Sequence, residues 1–98
     1  MSRRRYLVLY DIRDDRRLRK VFNTMRSFGS RFQYSVFLCD LNESELLALR
    51  WELKDRMNEA EDSIAIVDLG TPKSSELDGT FEFLGTRREF PPAEPTIL

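Results

Sequence analysis

The hydrophobic pattern of this chain switches between strand-like runs and helix-like spacing, and this alternation constrains the fold more than any other sequence feature. Residues 6–12, YLVLYDI, form an apolar run of aromatic and β-branched side chains, which is typical of a central strand. The following residues change to apolar spacings of three and four, which predicts a helix with one buried face. That face comprises Leu18, Val21, Phe22, Met25 and Phe28. We expect Asp14 to cap the start of this helix and Gly29 to follow its end.

The second half of the chain repeats the alternation. Residues 31–41, RFQYSVFLCDL, are strand-like, and the pattern leaves open whether they form one long kinked strand or two short ones. Asn42, with Glu45 three residues later, matches a capping box and predicts that a second helix starts there. The buried face of this helix is expected to comprise Leu46, Leu49, Leu53 and Met57. Residues 62–70 and 80–85 are predicted to form two further strands, the last of them short.

The resulting order, β-α-β(β)-α-β-β, predicts an α+β fold in one domain. Two helices packed on one face of a mostly antiparallel sheet make a ferredoxin-like β-α-β-β-α-β sandwich, to which residues 80–85 add a short C-terminal strand. We assign residues 1–85 to this domain and residues 86–98 to a tail, because three prolines in FPPAEPTIL prevent regular structure. The fold hosts many unrelated activities, so function must be argued from particular residues.

The composition excludes several classes of chemistry. The 98 residues include no histidine, which rules out a Ser-His-Asp or Cys-His arrangement and any histidine general acid or base. The single cysteine, Cys39, rules out an intramolecular disulfide and a cysteine-rich zinc site. No run approaches the roughly 20 apolar residues of a membrane span, and the apolar run near the N-terminus is too short for a signal peptide. We therefore expect a cytoplasmic protein without a membrane partner.

The charge is distributed unevenly along the chain. Residues 1–31 carry ten Lys or Arg and three Asp, a balance of +7, and nine of the ten cations are arginine. The remaining 67 residues carry six Lys or Arg and fourteen Asp or Glu, a balance of −8. One interpretation is a basic face that pairs with acidic neighbours in the fold. The other, which we favour, is a face that binds a polyanion, since the guanidinium group is the better match to phosphate.

Asp11 is unusual because it stands near the end of an otherwise apolar run. An unpaired carboxylate is costly to bury, so it either lies at the exposed end of the strand or holds a cation. A single carboxylate is a poor site for a divalent cation, although two copies related by two-fold symmetry could share one ion. The residues alone favour a simpler role, in which Asp11 accepts backbone hydrogen bonds in the turn that follows.

Potential phosphate contacts lie on both sides of the predicted turn. Tyr10 precedes Asp11, and the arginines Arg13, Arg16 and Arg17 follow it. The block RFQYSVF adds a further set with hydroxyl, amide, guanidinium and aromatic groups: Arg31, Gln33, Tyr34, Ser35 and Phe37. These side chains suit a sugar–phosphate backbone, but they equally suit a sheet with one half-buried face.

Taken together, four segments resemble the small CRISPR-associated adaptation protein family, the ferredoxin-like partner of the CRISPR integrase. They are the YDI strand end, the D.RRLRKV helix start, the G.R.QYSVF block and the DLNESEL helix entry, and the likeness covers residues 6 to about 70. The resemblance implies a homodimer in which the last short strand joins the partner's sheet. It also implies that Asp11 of each protomer holds one shared Mg²⁺, or Mn²⁺ in its place, in a nuclease acting on single-stranded RNA or double-stranded DNA.

The resemblance assigns roles to individual residues. The implied catalytic residues are Asp11, Tyr10 and Ser35, of which Asp11 is the metal ligand. The nucleic-acid-binding residues are predicted to be Arg13, Arg16, Arg17, Arg19, Arg31 and Phe37. The resemblance implies this role for Arg31 and Phe37, and the guanidinium groups themselves suggest it for the other four. The same family likeness supports a second role, in which the dimer bridges the CRISPR integrase subunit and holds DNA without cleaving it. A toxin-type ribonuclease on the same fold is a further alternative.

Overall fold

The central strand of the sheet is β1, Arg4–Asp11, and five further elements follow it in the described part of the chain. The computed structural model describes residues 2–72, 81–86 and 93–95. The other elements are α1 (Asp15–Phe28), β2 (Ser30–Gln33), β3 (Val36–Leu41), α2 (Glu43–Arg56) and β4 (Ser63–Gly70). Residues 31–41 therefore contain parts of two strands, because the chain turns at Tyr34 and Ser35.

The four strands form one antiparallel sheet in the order β2-β3-β1-β4. Val8 in the middle of β1 lies opposite Phe37 of β3 on one side and Ile66 of β4 on the other. Strand order and the two connecting helices make this the ferredoxin-like arrangement, which confirms the predicted fold class.

Helix α1 begins and ends at the predicted residues. The Asp14 side chain accepts a hydrogen bond from the backbone N–H of Arg17 at 2.9 Å, as an N-cap does. Gly29 closes the helix in an extended conformation, with φ −167°. It is required for space, because a Cβ atom there would collide with the Leu38 carbonyl oxygen and the Cys39 sulfur. Glycine thus lets the end of α1 approach β3 closely.

Helix α2 has the predicted capping box and a buried leucine face. The Glu45 N–H donates to the Asn42 side chain at 2.8 Å, and the Asn42 N–H donates to the Glu45 carboxylate at 2.9 Å. Leu46, Leu49 and Leu53 are buried as predicted, while Met57 lies just beyond the helix and is half-buried. The opposite face of α2 exposes Leu47 and Trp51.

Both helices cover the same face of the sheet, and the main core lies between them and β1 and β3. The core side chains from β1 are Tyr6, Val8 and Tyr10. Successive strand residues point to opposite faces, so Leu9 and Asp11 belong to the other face. On that open face, Leu9 and Val67 of β4 are exposed. Among the described residues no helix covers this face, yet Arg5, Leu38 and Asp40 on it are buried, so the face is open around Leu9 and Val67 and not along β3.

Residues 81–85 of the short final strand predicted over 80–85 pair with no strand of this single chain, and Thr80 lies outside the described residues. The implied pairing of this segment with a partner's sheet stays a prediction. Residues 81–86 have no regular structure, and Phe81 and Phe83 pack on Phe32 of β2, with ring centroids 5.0 and 5.7 Å away. Their side chains are thus used for packing, while their backbone pairs with no strand in the described part of the chain.

Only residues 86 and 93–95 of the predicted tail are described. Ala93 is buried, and its carbonyl oxygen accepts a hydrogen bond from the Asp40 N–H at 2.9 Å, beside β3. The division between domain and tail at residue 85 stays a prediction. Within the described ranges, neither helix is long and apolar enough to cross a membrane.

Candidate functional site

Asp11 ends β1 opposite Ser63 of β4, and 64% of its side chain is exposed. Its ion-pair partner is Arg13, with Nη2 3.4 Å from the carboxylate. The backbone hydrogen bonds of the turn go to other acids, because Asp14 accepts from Arg17 and Asp62 accepts from Arg13. The capping role that residue chemistry favoured for Asp11 therefore belongs to Asp14 and Asp62. Asp11 remains an exposed carboxylate at the end of β1.

The donor set around Asp11 in one chain is small. Among the described residues, no three side chains of His, Cys, Asp or Glu lie close enough to hold a metal ion together. Hard divalent cations are bound by several oxygen atoms, so one carboxylate needs oxygens from water, from substrate phosphate or from a second chain. The residues present fit a divalent ion only with such additional donors.

Asp62, which sequence reasoning missed, organises the turn behind Asp11. Its side chain is fully buried and accepts hydrogen bonds from the backbone N–H groups of Arg13 at 2.9 Å and Asn58 at 2.8 Å. It also accepts bonds from Arg17, from Nε at 2.8 Å and from Nη2 at 3.2 Å. These bonds, led by those from Arg17, hold the pKa of Asp62 well below its usual range. The only hint in the sequence is an acid directly before the last apolar strand.

Arg17 bonds to acids within the fold, and most of its side chain is shielded from solvent. Its guanidinium also donates to Glu61 at 3.0 Å, and only about a quarter of the side chain is exposed. Bonding to Asp62 and Glu61 raises the pKa of Arg17 despite its partial burial. Asp62 and Glu61 use the Nε and Nη2 donors of Arg17, so a contact with nucleic acid would fall to Nη1, and the contact predicted for Arg17 stays a prediction.

The implied site residues other than Asp11 and the arginines lie on or beside the helix side of the sheet. Tyr10 is buried and stacks on Phe37, with ring centroids 6.2 Å apart. Burial raises the pKa of Tyr10, so its phenol keeps its proton at neutral pH. The Ser35 carbonyl accepts a hydrogen bond from the Tyr10 N–H at 3.0 Å. Phe37 is only 1% exposed, so it supports the site by packing and does not fit the implied direct contact with nucleic acid.

The uneven charge distribution has two outcomes in the folded chain. Four of the N-terminal arginines pair with acids from later in the sequence. These pairs are Arg3 with Glu45, Arg4 with Asp68, Arg5 with Asp40 and Arg17 with Asp62. The interpretation that the basic segment pairs with acidic neighbours is therefore correct for this group.

A second group of cations remains at the surface. We call Arg13, Arg16, Arg19 and Arg31 the arginine surface, and all four are exposed. Lys20 and Arg26 on α1 are exposed as well. The Arg31 guanidinium lies between two aromatic rings, 5.3 Å from the centroid of Phe22 and 5.3 Å from that of Tyr34. These exposed guanidinium groups suit phosphate.

The model of the family described as CRISPR associated protein Cas2 matches residues 4–76, which include every described strand and both helices. This chain belongs to the Cas2 family. A relative from Geobacter sulfurreducens, named CRISPR-associated endoribonuclease Cas2, is 40% identical over 82 residues, which cover 79% of this chain and 86% of that protein. A Thermus thermophilus relative named CRISPR-associated endonuclease Cas2 2 is 41% identical over 66 residues, or 67% of this chain and 73% of that one.

Two solved structures are similar to this chain, and the second of them is a Cas2 protein. A hypothetical protein from Thermus thermophilus has a TM-score of 0.74 and 34% identity, covering 95% of this chain and all of that one. Streptococcus pyogenes Cas2 has a TM-score of 0.63 and 28% identity, covering 83% of this chain and 99% of that one. The family that the sequence segments resembled is thus confirmed.

Proposed function

We propose that this Cas2-family chain is the subunit of a CRISPR-associated nuclease that hydrolyses phosphodiester bonds of RNA or DNA with a divalent metal ion. The observation that carries the proposal is Asp11, an exposed carboxylate at the end of the central strand whose neighbouring backbone is held by other acids. The names endoribonuclease and endonuclease carried by relatives support the same activity.

The active form that we propose is a homodimer joined through the open face of the sheet. Leu9 and Val67 are exposed on that face, and burying them would remove apolar surface from water. Strand alternation places Asp11 on the same face as Leu9. A two-fold axis through this face would let each chain contribute one Asp11 to a common site, which supplies the second carboxylate that one chain lacks.

The proposed site would hold one Mg²⁺, or Mn²⁺ in its place, on the two Asp11 carboxylates. When bound, such an ion makes a coordinated water more acidic and neutralises charge on the reacting phosphate. Arg13, 3.4 Å from Asp11, is available to bind a phosphate oxygen and orient the backbone. Tyr10 is buried on the helix side of the sheet and stacks on Phe37, which makes it a support for the end of β1.

Binding along the arginine surface would be independent of base sequence, because guanidinium groups on phosphates read no bases. Each phosphate contact releases a counterion, so affinity should fall steeply as salt increases.

The test compares the wild type with Asp11→Asn on labelled single-stranded RNA and duplex DNA, with Mg²⁺, with Mn²⁺ and with excess chelator. Asp68→Asn is the matched control, because Asp68 is also an exposed strand aspartate paired with an arginine. We expect Asp11→Asn to lose more activity than the roughly 10- to 100-fold typical of changes beyond the coordinating ligands. Its binding affinity should not fall, and Asp68→Asn should stay active. Cleavage that survives Asp11→Asn, or that persists in chelator, would refute the metal site.

A mixing experiment tests whether the site is shared. Equal amounts of the wild type and Asp11→Asn are unfolded together and refolded, so that subunits assort at random. A site built from two chains leaves about a quarter of the wild-type activity, whereas independent sites leave about half. Sedimentation of the same samples checks that dimers are present, and a monomeric active species would exclude the shared site.

The arginine surface favours a second role, in which the dimer bridges the CRISPR integrase subunit during spacer acquisition and holds the DNA to be inserted. Arg16 and Arg19 are exposed on α1, and this helix covers the sheet face opposite Asp11. DNA bound to these two arginines therefore need not reach the Asp11 carboxylate. In an integration assay with the integrase subunit, Asp11→Asn should then be active and an Arg16→Gln, Arg19→Gln double variant should not. The reverse pattern would exclude the bridging role and favour the nuclease.

A further inference from the structure

A cavity of about 350 Å³ lies beside α1, on the helix side of the sheet. Its walls come from α1 and from the β2–β3 region, and the side chains that matter here are Asp15, Arg19, Phe22, Arg31 and Tyr34. Tyr10 also lines it, whereas Asp11 belongs to the opposite face of the same strand. The cavity is therefore separate from the metal site proposed above.

The aromatic wall of the cavity is built around one cation. The Arg31 guanidinium lies 5.3 Å from the ring centroids of both Phe22 and Tyr34, so cation–π attraction to two rings holds it in place. Tyr34 lies in a turn and is 71% exposed, so most of its ring stays accessible although it contacts Arg31. Rings and guanidinium planes that are exposed and pre-ordered in this way are the groups on which unstacked bases stack.

The net charge of the cavity indicates which ligand charge it suits. Arg19 and Arg31 contribute two positive charges and Asp15 one negative charge, so the formal balance is +2 − 1 = +1. This balance matches the single charge of an internal phosphodiester better than the double charge of a terminal phosphate. The Asp15 carboxylate can accept hydrogen bonds from a ribose hydroxyl or from a base amino group.

We propose that this cavity binds one unstacked nucleotide within a single-stranded nucleic acid, with its base on Tyr34 and Arg31 and its phosphodiester on Arg19. A base in a duplex is paired and stacked, and it cannot enter a cavity between a helix and a turn without being extruded. The cavity thus selects single strands over duplexes. This inference deepens the proposed nucleic-acid binding, but it does not depend on cleavage at Asp11.

The experiment measures binding in excess chelator, so that cleavage does not contribute. The probes are a fluorescently labelled single-stranded RNA of about 12 nucleotides and the duplex DNA of the same sequence, followed by anisotropy. Tyr34→Ala should weaken single-strand binding by about 5- to 150-fold, the effect of losing one base–aromatic stack. Tyr34→Phe, which keeps the ring, should bind like the wild type. Trp51→Ala is the matched control, because Trp51 is an equally exposed aromatic residue on α2, outside the cavity.

A second arm locates the nucleotide. A single abasic substitution, moved along the RNA, should weaken wild-type binding at one position or more and should have no further effect on Tyr34→Ala. Arg31→Gln should reproduce the loss seen with Tyr34→Ala, since both remove the stacking surface.

Three results would overturn the proposal. They are wild-type affinity of Tyr34→Ala for the single strand, an equal loss for single strand and duplex, and additive effects of Tyr34→Ala and the abasic site. The Asp11→Asn cleavage assay is read separately, so failure of the cavity proposal and failure of the nuclease proposal give different outcomes.

Discussion

Two arginine–aspartate pairs on β1 provide a direct test of how burial controls the strength of an ion pair in this fold. Arg5 bonds Asp40 of β3 at 2.8 and 2.9 Å, and Arg4 bonds Asp68 of β4 at 3.0 and 3.2 Å. The pairs have the same residue types and adjacent positions on one strand. They differ in exposure, since the side chains of the first pair are 9% and 10% exposed and those of the second are 51% and 47% exposed. We therefore compare the variants Asp40→Asn and Asp68→Asn, each of which removes the carboxylate of one pair.

The expected effects differ widely. Removing one partner of a buried pair costs about 3–5 kcal/mol, because the remaining charge stays in a poorly solvated place. We expect about 3 kcal/mol for Asp40→Asn, since the amide oxygen can keep one of the two hydrogen bonds. A domain of this size is stable by about 5–15 kcal/mol, and each kcal/mol corresponds to roughly 4–8 °C in the melting temperature. Asp40→Asn should therefore lower the melting temperature by roughly 12–24 °C.

For Asp68→Asn we expect no change beyond the error of the measurement, because water and salt screen an exposed pair. Both variants are unfolded in urea and by heat, followed by circular dichroism, at one protein concentration because association shifts apparent stability. Arg5→Lys is included as a milder perturbation, since lysine keeps the charge but cannot make two parallel bonds to the carboxylate.

Equal destabilisation by Asp40→Asn and Asp68→Asn would refute this prediction. Burial would then not determine how much free energy of unfolding is lost when an ion pair loses its carboxylate. If Asp40→Asn fails to fold, the comparison passes to Arg5→Lys. Arg5→Lys should then lose more free energy of unfolding than Asp68→Asn does, and an equal or smaller loss would show that burial does not set the strength of these pairs.

The other predictions concern the core and the pH response. Burial raises the pKa of the Cys39 thiol to about 12, so a thiol reagent at pH 8 should label the folded protein at least about 100-fold more slowly than protein in urea, and similar rates would contradict its position. The pKa of Asp62 is lower in the folded chain than its unfolded value of about 3.9. Ionised Asp62 therefore contributes to the free energy of unfolding above that pH, and this contribution is lost as the pH falls. In Asp62→Asn, stability should accordingly fall less steeply with decreasing pH below about pH 4 than it does in the wild type. The same acid dependence of unfolding in both proteins, followed by circular dichroism, would disprove this. Leu49→Ala should lower the free energy of unfolding by about 3–5 kcal/mol and the exposed Leu47→Ala by less than about 0.5 kcal/mol, and equal losses in urea would show that the buried face of α2 is misassigned.

Much of the fold is encoded in local patterns and could be predicted from them. The start of α1 at Asp14 and the capping box of Asn42 and Glu45 depend on residues three apart, and the structure confirms both. The helical periods predicted the buried faces, and the order of strands and helices predicted the ferredoxin-like fold. These features depend on backbone geometry that repeats over a few residues, so they are visible without tertiary structure.

The candidate site was predictable only in part. Asp11 could be identified as the acid at the exposed end of an apolar strand, and the alternation of a strand already separates it from Tyr10. The burial of Phe37 and the internal bonding of Arg17 were not predictable, because their neighbours come from other elements. The sequence also could not show that the cavity residues Arg31 and Tyr34 would be ordered by Phe22, which precedes them by 9 and 12 positions.

The arginines show where the boundary between the two kinds of information lies. The sequence by itself determined that the N-terminal third is rich in arginine and that the rest of the chain is acidic. Only the tertiary structure decided which arginines are used internally, since the partners of Arg5, Arg3 and Arg4 lie 35, 42 and 64 positions away. An ion pair depends on distance in space, and that distance is set by strand register and helix packing, whereas a cap or a helical period depends on distance along the chain.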